Sequence, residues 1–422
     1  MWGRLLLGLC LGGSLAGAGA DFDFSRFFAE KAAAYHEEAI RLRRELHQIP
    51  ELCFGEKRTA ERVEQYLRSL GLQVQTGLAG TGVKAVLSGG QPGSAIGLRA
   101  DLDALPIAER TEAAWASRNP GVMHACGHDV HMANLLVAAR MLSDVRQKLA
   151  GSVVFLFQPC EEGAPSGQAG GADALVAAKA LEDPTLQAIV GMHVLPALPL
   201  GTVSMQAGPV TANVASFDLA IPGRASHGAL PHQGVDAVYA AALAVVEFQA
   251  LISRFRNPGD KAVLSIGTVH GGTRRNVIAD EVRLEGTVRT YADAEEERIV
   301  RGMERILKGL DISLGTVSRL SVERANRCVR NDAGLVALAR PVFQRALGPD
   351  RVVTMDPLTI GEDFSVYAQR IPALFFFLGT GSDTPLHTPN FSVDERILLL
   401  GPRLLAEAAV AYLCRSPGSC SN

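Results

Sequence analysis

The 422-residue chain has no concentrated run of lysine and arginine, no apolar stretch long enough to cross a bilayer, and no low-complexity tract or fixed-period repeat after residue 21. Each absence removes a class of function. With 41 basic against 44 acidic residues, a formal charge of -3 and a pI near 6.4, nothing favours a polyanion, so nucleic acid is not expected as a partner. Apolar residues, 47% of the chain, are spread along its length, which argues against disorder. The uncharged stretch at 5–20 is only 16 residues, short of the ~20 that span a membrane. The seven cysteines show no dense framework spacing.

What is present begins with glycine: 43 residues, about a tenth of the chain against a usual ~7%, which asks for many tight turns. Residues 1–20 read as a cleaved secretory signal, with Arg4, an apolar run at 5–11 and Ala18-Gly19-Ala20 before Asp21. An organelle-targeting peptide or a retained anchor is the competing reading. Removing Arg4 leaves 40 basic against 44 acidic residues, a charge of -4. The expected location is secreted or within a secretory lumen or periplasm, with no membrane partner after cleavage. Cys10 lies in the signal; most of Cys53, Cys126, Cys160, Cys328, Cys414 and Cys420 look like buried thiols. Cys414 and Cys420 flank a Ser-Pro-Gly turn and read equally as a bridge or a frayed free pair.

The period along 24–70 predicts two helices, broken at Pro50 and ended by Gly71. Apolar runs at 83–87, 95–98, 153–157, 188–192 and 373–378 follow, separated by helical patterns such as 134–142 and 335–346. Runs without alternation suit strands buried on both faces, so the fold class is α/β with a mostly parallel sheet covered by helices. Between 213 and 325 the pattern changes to strand 215–221, helix 235–255, strands 263–269 and 282–290, helix 295–310 and strand 316–322. That order is ferredoxin-like α+β. The expected organisation is a signal at 1–20, a catalytic domain at 21–212 and 326–422, and an inserted domain at 213–325, with hinges near Pro209 and Asn331-Asp332.

In open α/β sheets the chemistry collects beyond the carboxyl ends of strands. There stand Asp101 and Asp103, then His124, Cys126, His128 and Asp129, then Glu161-Glu162, His193 and His387. Taken singly, each has a plain structural reading. Asp-x-Asp is usually a turn or cap, Cys126-x-His128 reads as a buried thiol with a capping Asp129, and a single histidine is more often hydrogen-bonded than a ligand. Together, Cys126, His128, Glu162, His193 and His387 supply thiolate, imidazole and carboxylate donors that suit Zn²⁺, Mn²⁺ or Co²⁺. Five ligands exceed one catalytic tetrahedral ion and imply two. His124 and His131 rank lower, His131 as a support for His128 one helical turn away.

The segments RRELHQIPEL (43–52), LRADLDALPI (98–107), HACGHDVHMANLL (124–136), QPCEEG (158–163), MHVLPALPLGTV (192–203), SHGALPHQGVDAV (226–238), GGTRRNVIADEVRLEGTVRTY (271–291), GEDFSVYAQRIPALFFFLG (361–379) and LHTPNF (386–391) carry a resemblance. Over about 40–410 the chain resembles the aminoacylase and carboxypeptidase family of co-catalytic metallopeptidases, in the amidohydrolase branch with indole-acetyl-amino-acid and hippurate hydrolases. The resemblance implies two divalent ions, Zn or Mn with Co as the alternative, on Cys126, His128, Glu162, His193 and His387. Glu161 then matches the general base, Asp103 an aspartate supporting a metal ligand, and Asp101 the place where other branches carry a ligand histidine. The inserted domain resembles a lid and dimerisation domain. On it His227 matches an oxyanion-stabilising histidine, with His232 a nearby decoy, and Asn276 and Arg289 match residues near the substrate carboxylate.

Two departures bear on selectivity. Cys160 replaces the usual alanine, placing a thiol beside the base, and Pro165 and Ser166 loosen 163–171. The expected activity is hydrolysis of the amide of small N-acyl amino acids to a carboxylic acid and a free amino acid, by a homodimer joined through the inserted domain. A dipeptidase or carboxypeptidase with the same site is the alternative. A binding protein without turnover is disfavoured, because Glu161 and all five ligands are intact.

Overall fold

The computed structural model describes residues 22–165, 167–415 and 420, so the signal-peptide reading of 1–20 and the inserted Ser166 lie outside the described residues. Three helices precede the first strand: Phe24–Ala34, His36–His47 and Lys57–Ser69. The period predicted two. Tyr35 makes the extra break at φ -102° and ψ 7°. Its hydroxyl donates to Asp144 at 2.7 Å, and the Arg140 guanidinium stacks 4.0 Å from its ring, so a long-range anchor overrides local continuity.

The main sheet has eight strands in the order Gln73–Leu78, Gly82–Ser88, Ala150–Gln158, Gln91–Asp101, Ala188–Leu195, Ala373–Gly379, Val203–Ser204 and Val352–Val353. The four consecutive strands from Ala150–Gln158 to Ala373–Gly379 are parallel. Their side chains alternate between two cores: Val153, Phe155 and Phe157 enter one, Val154 and Leu156 the other. Helices His128–Asp144 and Ile397–Leu413 lie on the first face, and Gly171–Ala177 and Ser365–Ala368 on the second. Burial on both sides explains why these strands read as unbroken apolar runs. Gln73–Leu78 gave no such signal because it is an antiparallel edge strand, exposed over much of its length.

A second sheet carries the inserted α+β unit, ordered Ala262–Gly271, Glu281–Thr290, Asn213–Pro222 and Arg319–Asn326, all antiparallel. Helices Ala237–Ser253 and Asp293–Leu314 complete the ferredoxin-like order and close a separate core around Phe217, Phe248, Leu284 and Met303. The final strand starts later than the sequence suggested. Its preceding helix runs on to Leu314 and is capped by Gly315 at φ 76°, while Asp311 binds the Thr316 hydroxyl at 2.6 Å and the Ser318 N–H at 3.0 Å.

Candidate metal centre and active site

The site is assembled where the parallel strands end. Gly127 caps helix His128–Asp144 at φ 90°, a left-handed conformation that glycine adopts freely. A Cβ there would stand 2.5 Å from Val194 Cγ2, so this turn brings Cys126 and His128 against the strand that carries His193. Asp129 does not cap the helix, as one sequence reading had it. It lies in the buried first turn, where its carboxylate accepts from Arg43 Nε at 2.7 Å and pairs with His47 Nδ1 at 2.8 Å.

The five sequence-predicted ligands converge. Cys126 Sγ lies 3.3 Å from His193 Nε2 and 3.2 Å from His387 Nε2. His387 Nε2 is 3.3 Å from Glu162 Oε1, and His128 Nε2 is 3.9 Å from the same oxygen. Two ligand trios result, Cys126–His128–His193 and Cys126–Glu162–His387, which share the sulfur. Hydrogen bonds set the imidazole tautomers. His128 Nδ1 donates to the Asp103 carbonyl at 2.8 Å and His193 Nδ1 to the Val194 carbonyl at 2.7 Å, which leaves both Nε2 lone pairs facing the cluster. His131 is spent differently. Its Nε2 accepts from Val194 N at 3.0 Å, so its Nδ1–H points to Asp101 Oδ2 at 3.1 Å, and both nitrogens are used in support. His124 is buried and, among the described residues, both its nitrogens lack a hydrogen-bond partner and it belongs to none of the ligand trios; burial lowers its pKa to about 3.

Asp103 supports the centre from two sides, through its carbonyl on His128 and through Oδ2, which accepts from Glu162 N at 3.0 Å. Asp101, fully buried, is paired with Arg99 and lies 3.5 Å from His128 Nε2.

The electrostatics favour a cation. Burial alone would lower the His128 pKa, but Asp101 and the hydrogen bond to Asp103 outweigh it and lift the ring to about 10. Burial, then the charges of Glu162 and Glu161, drives the Cys126 thiol well up. Burial and the neighbouring Glu362, Asp363 and Glu162 also push Glu161 far above the usual carboxylate range. His128 Nε2 and Glu162 Oε1 are buried without a hydrogen-bond partner among the described residues. Orphaned donor atoms inside an excess of negative charge fit divalent metal.

Glu362 and Asp363 were not singled out from sequence. Their oxygens lie within 4.8 Å of one another and of Glu161. Arg99 Nη2 reaches Asp363 at 2.8 Å and Glu362 at 3.2 Å, while Gln158 donates to Asp363 at 2.8 Å and accepts from the Tyr367 hydroxyl at 2.9 Å. Burial and charge hold Glu362 at about 8 and Asp363 at about 6. The available signal was the same as for Glu161-Glu162: adjacent acids amid apolar sequence.

The inserted unit brings its three candidates less close. His227 sits on a short strand paired with Val277–Ile278, and Gly228 N donates to the carbonyl of Asn276 at 2.8 Å. His227 and Asn276 are exposed, and Arg289 Nη1 is 3.4 Å from the Thr359 carbonyl. Among the described residues, no hydrogen bond or ion pair joins these three to the metal-facing cluster.

Cys160 is not a thiol. It is bonded to Cys53, and Cys414 is bonded to Cys420, so four of the six cysteines after residue 20 are paired. Cys126 and Cys328 remain as buried free thiols. The 107-residue separation of Cys53 and Cys160 hid their pairing from local spacing.

Fold and site together define a metal-dependent amide hydrolase. The family model described as peptidase family M20/M25/M40 matches residues 97–411, and the chain belongs to this family. It is 36% identical over 380 residues to the N-acetyl-L-cysteine deacetylase of Bacillus subtilis, covering 89% of this chain and 88% of that one. It is also 36% identical over 392 residues to the IAA-amino acid hydrolase ILR1-like 4 of Arabidopsis thaliana, covering 91% and 87%. A solved structure from Bacillus subtilis, described as a dinuclear metal binding peptidase from the M20 family, superposes with a TM-score of 0.80 at 34% identity, covering 90% of this chain and 99% of that one.

Two outcomes follow from the packing around the centre. Gly127→Ala forces a side chain into a left-handed position and against Val194, which costs ~1–3 kcal/mol; a lower Tm and a lower metal content are expected together. Glu109 supports His47. Burial would raise its pKa, but the hydrogen bonds from His47, Thr111 and the Ser117 N–H lower it from 4.5 to about 2. A depressed carboxylate stabilises the fold above its unfolded pKa and loses that contribution as pH falls through the folded one. Wild-type Tm should therefore drop more than that of Glu109→Gln between pH 4.5 and about 2, as read by calorimetry.

Proposed function

We infer that the protein hydrolyses the amide bond of N-acyl amino acids with two divalent metal ions, giving a carboxylic acid and a free amino acid. The observation that carries this is the convergence of Cys126, His128, Glu162, His193 and His387 at one rim, with Glu161 beside them. The relatives named for acting on N-acetyl-L-cysteine and on IAA-amino acids support the substrate class. Mixed sulfur, nitrogen and oxygen donors favour Zn or Mn, with Co as the alternative.

When bound, two such ions polarise the scissile carbonyl and acidify the attacking water. The side chains do the rest. Glu161 takes the proton of that water and delivers it to the leaving amine nitrogen, and its surroundings of buried carboxylates raise its affinity for the proton in transit. Asp103 fixes the ligand ring of His128 and the backbone of Glu162. His227 supplies a hydrogen bond to the developing oxyanion. Its Nδ1 accepts the Ala229 N–H at 3.1 Å, so the neutral ring carries its proton on Nε2, the arrangement an oxyanion donor needs. Asn276 and Arg289 bind the substrate carboxylate.

The inserted unit at 213–325 is proposed as the homodimer contact. Among the described residues, ten of the twelve exposed large apolar side chains lie between Leu230 and Val317. Helix Ala237–Ser253 carries one charged residue, Glu247, and exposes Val238, Tyr239 and Val246, although helices apolar all round are normally covered. A secreted location is supported by two disulfides, which persist in oxidising compartments. Among the described residues no helix is long and apolar enough to cross a membrane.

Glu161→Gln should keep both ions yet lose about 10²–10⁴ in kcat on an N-acyl amino acid; near-normal turnover removes it from the base role. The same assay run across N-acetyl, N-benzoyl and indole-acetyl amino acids and dipeptides identifies the preferred acyl group. Asp103→Ala should weaken metal binding by about 10–100-fold in a competition titration. Light scattering should give twice the chain mass and Val246→Glu should halve it; a monomeric wild type, or a dimer that Val246→Glu leaves intact, would refute the proposed interface.

A further inference from the structure

The base is aimed by a part of the chain that the chemistry does not use. Cys160, one residue before Glu161, is fully buried at φ 52°, a backbone conformation that side chains other than glycine avoid. Three ties hold it there. Its N–H donates to Glu56 Oε1 at 2.9 Å, its carbonyl accepts from Gly171 N at 3.0 Å, and its sulfur is bonded to Cys53. Glu56 is itself buried and fixed, with Oε2 accepting from the Thr81 hydroxyl at 2.6 Å. Cys53 belongs to a tight turn closed by Gly55 N on the Leu52 carbonyl at 2.7 Å, and the neighbouring Glu51 carbonyl accepts from Ala104 N at 2.8 Å. On the other side of Glu161, Glu162 N is held by Asp103 at 3.0 Å. Glu161 therefore spans two anchors. Its carboxylate, 3.9 Å from His128 Nε2, is too far from that ring to be held by it, so the backbone determines where it points.

We propose that the Cys53–Cys160 disulfide and Glu56 form a positioning clamp that aims Glu161 at the attacking water, so that turnover depends on the bridge while metal loading does not. The separation arises because Asp103 anchors the metal-binding residue of the pair and the clamp anchors the proton-moving one. This rests on Glu161 being the base. It makes the cysteine at 160 a functional replacement and not a passive filler of an alanine position.

The test uses the full, metal-loaded chain. Cys53→Ala/Cys160→Ala should lower kcat by about ten- to a hundredfold, leave KM within about twofold, and retain both ions. Glu56→Ala should behave alike, while Glu56→Gln, which keeps an acceptor for the Cys160 N–H, should restore most of kcat. A second measurement needs no variant. A phosphine reductant breaks the S–S bond, giving two electrons to the sulfurs as water supplies the two thiol protons and the oxygen of the phosphine oxide. kcat should fall to the level of the double variant and recover on reoxidation. Cys414→Ala/Cys420→Ala should keep this response, and the Cys53/Cys160 double variant should lack it. An unchanged kcat in the double variant, or a loss of metal in proportion to kcat, overturns the clamp. Glu161→Gln separates the two ideas: if it is inactive while the clamp variant is fully active, the clamp alone fails, and if it turns over normally, the base assignment fails.

Discussion

The structure depends on a concentration of buried negative charge at the carboxyl ends of the parallel strands. Asp101, Glu161, Glu362 and Asp363 gather around the fully buried Arg99, and Asp103 and Glu162 lie beside the ring of His128. Two like charges at 4 Å repel by ~4 kcal/mol near a protein surface, so one guanidinium does not balance six carboxylates. The chain meets the excess in two ways. Burial and the neighbouring carboxylates raise the proton affinity of Glu161 and Glu362, and His128 Nε2 and Glu162 Oε1 are left without a hydrogen-bond partner among the described residues. Metal binding and proton affinity are thereby coupled, since cations at the centre lower the affinity that buried carboxylates create. That coupling is what a residue needs if it is to take a proton from water and then release it to an amine.

The same constraint explains why the supports are themselves charged. Arg43 and His47, from the second helix, hold Asp129 in the first turn of helix His128–Asp144, and Glu109 completes His47. Arg99, Gln158 and Tyr367 hold Asp363 and Glu362 on the opposite side. A buried carboxylate without such partners would cost several kcal/mol. Each partner comes from a distant part of the sequence, so the active-site rim also ties the amino-terminal helices and the segment after the inserted unit to the main sheet.

These dependencies mark the boundary of what sequence could reveal. Strands such as Ala150–Gln158 and Ala373–Gly379 were legible because burial on two faces writes an uninterrupted apolar run. The five proposed ligands were legible as candidates because they stand near the carboxyl ends of such strands or at the start of a helix, and the motif resemblance suggested their roles. Tyr35 as a helix break, Gln73–Leu78 as a strand and Cys53–Cys160 as a bridge were not. A tyrosine anchored 109 residues away, an exposed edge strand and a pairing across 107 residues leave no periodic trace, because their causes are tertiary. Glu362 and Asp363 fall between these cases: their sequence was noticed as a motif, but their approach to Glu161 is fixed by the fold alone.

The junction of the two units is a single joint. The chain enters the inserted unit past Gly208–Pro209 and leaves it at Arg330–Asn331, and these segments pair with each other in an antiparallel ladder. Val210 N donates to the Val329 carbonyl at 2.9 Å, and Cys328 N to Asn213 Oδ1 at 2.7 Å, so the two crossings are stitched into a ribbon. Asn331 then locks the ribbon to the catalytic sheet, donating to the Phe375 carbonyl at 2.8 Å and accepting from Phe375 N at 2.6 Å. Two independent linkers would let the inserted unit twist freely. A paired ribbon resists such twist. The strand to which the ribbon is locked runs beside the one that carries His193.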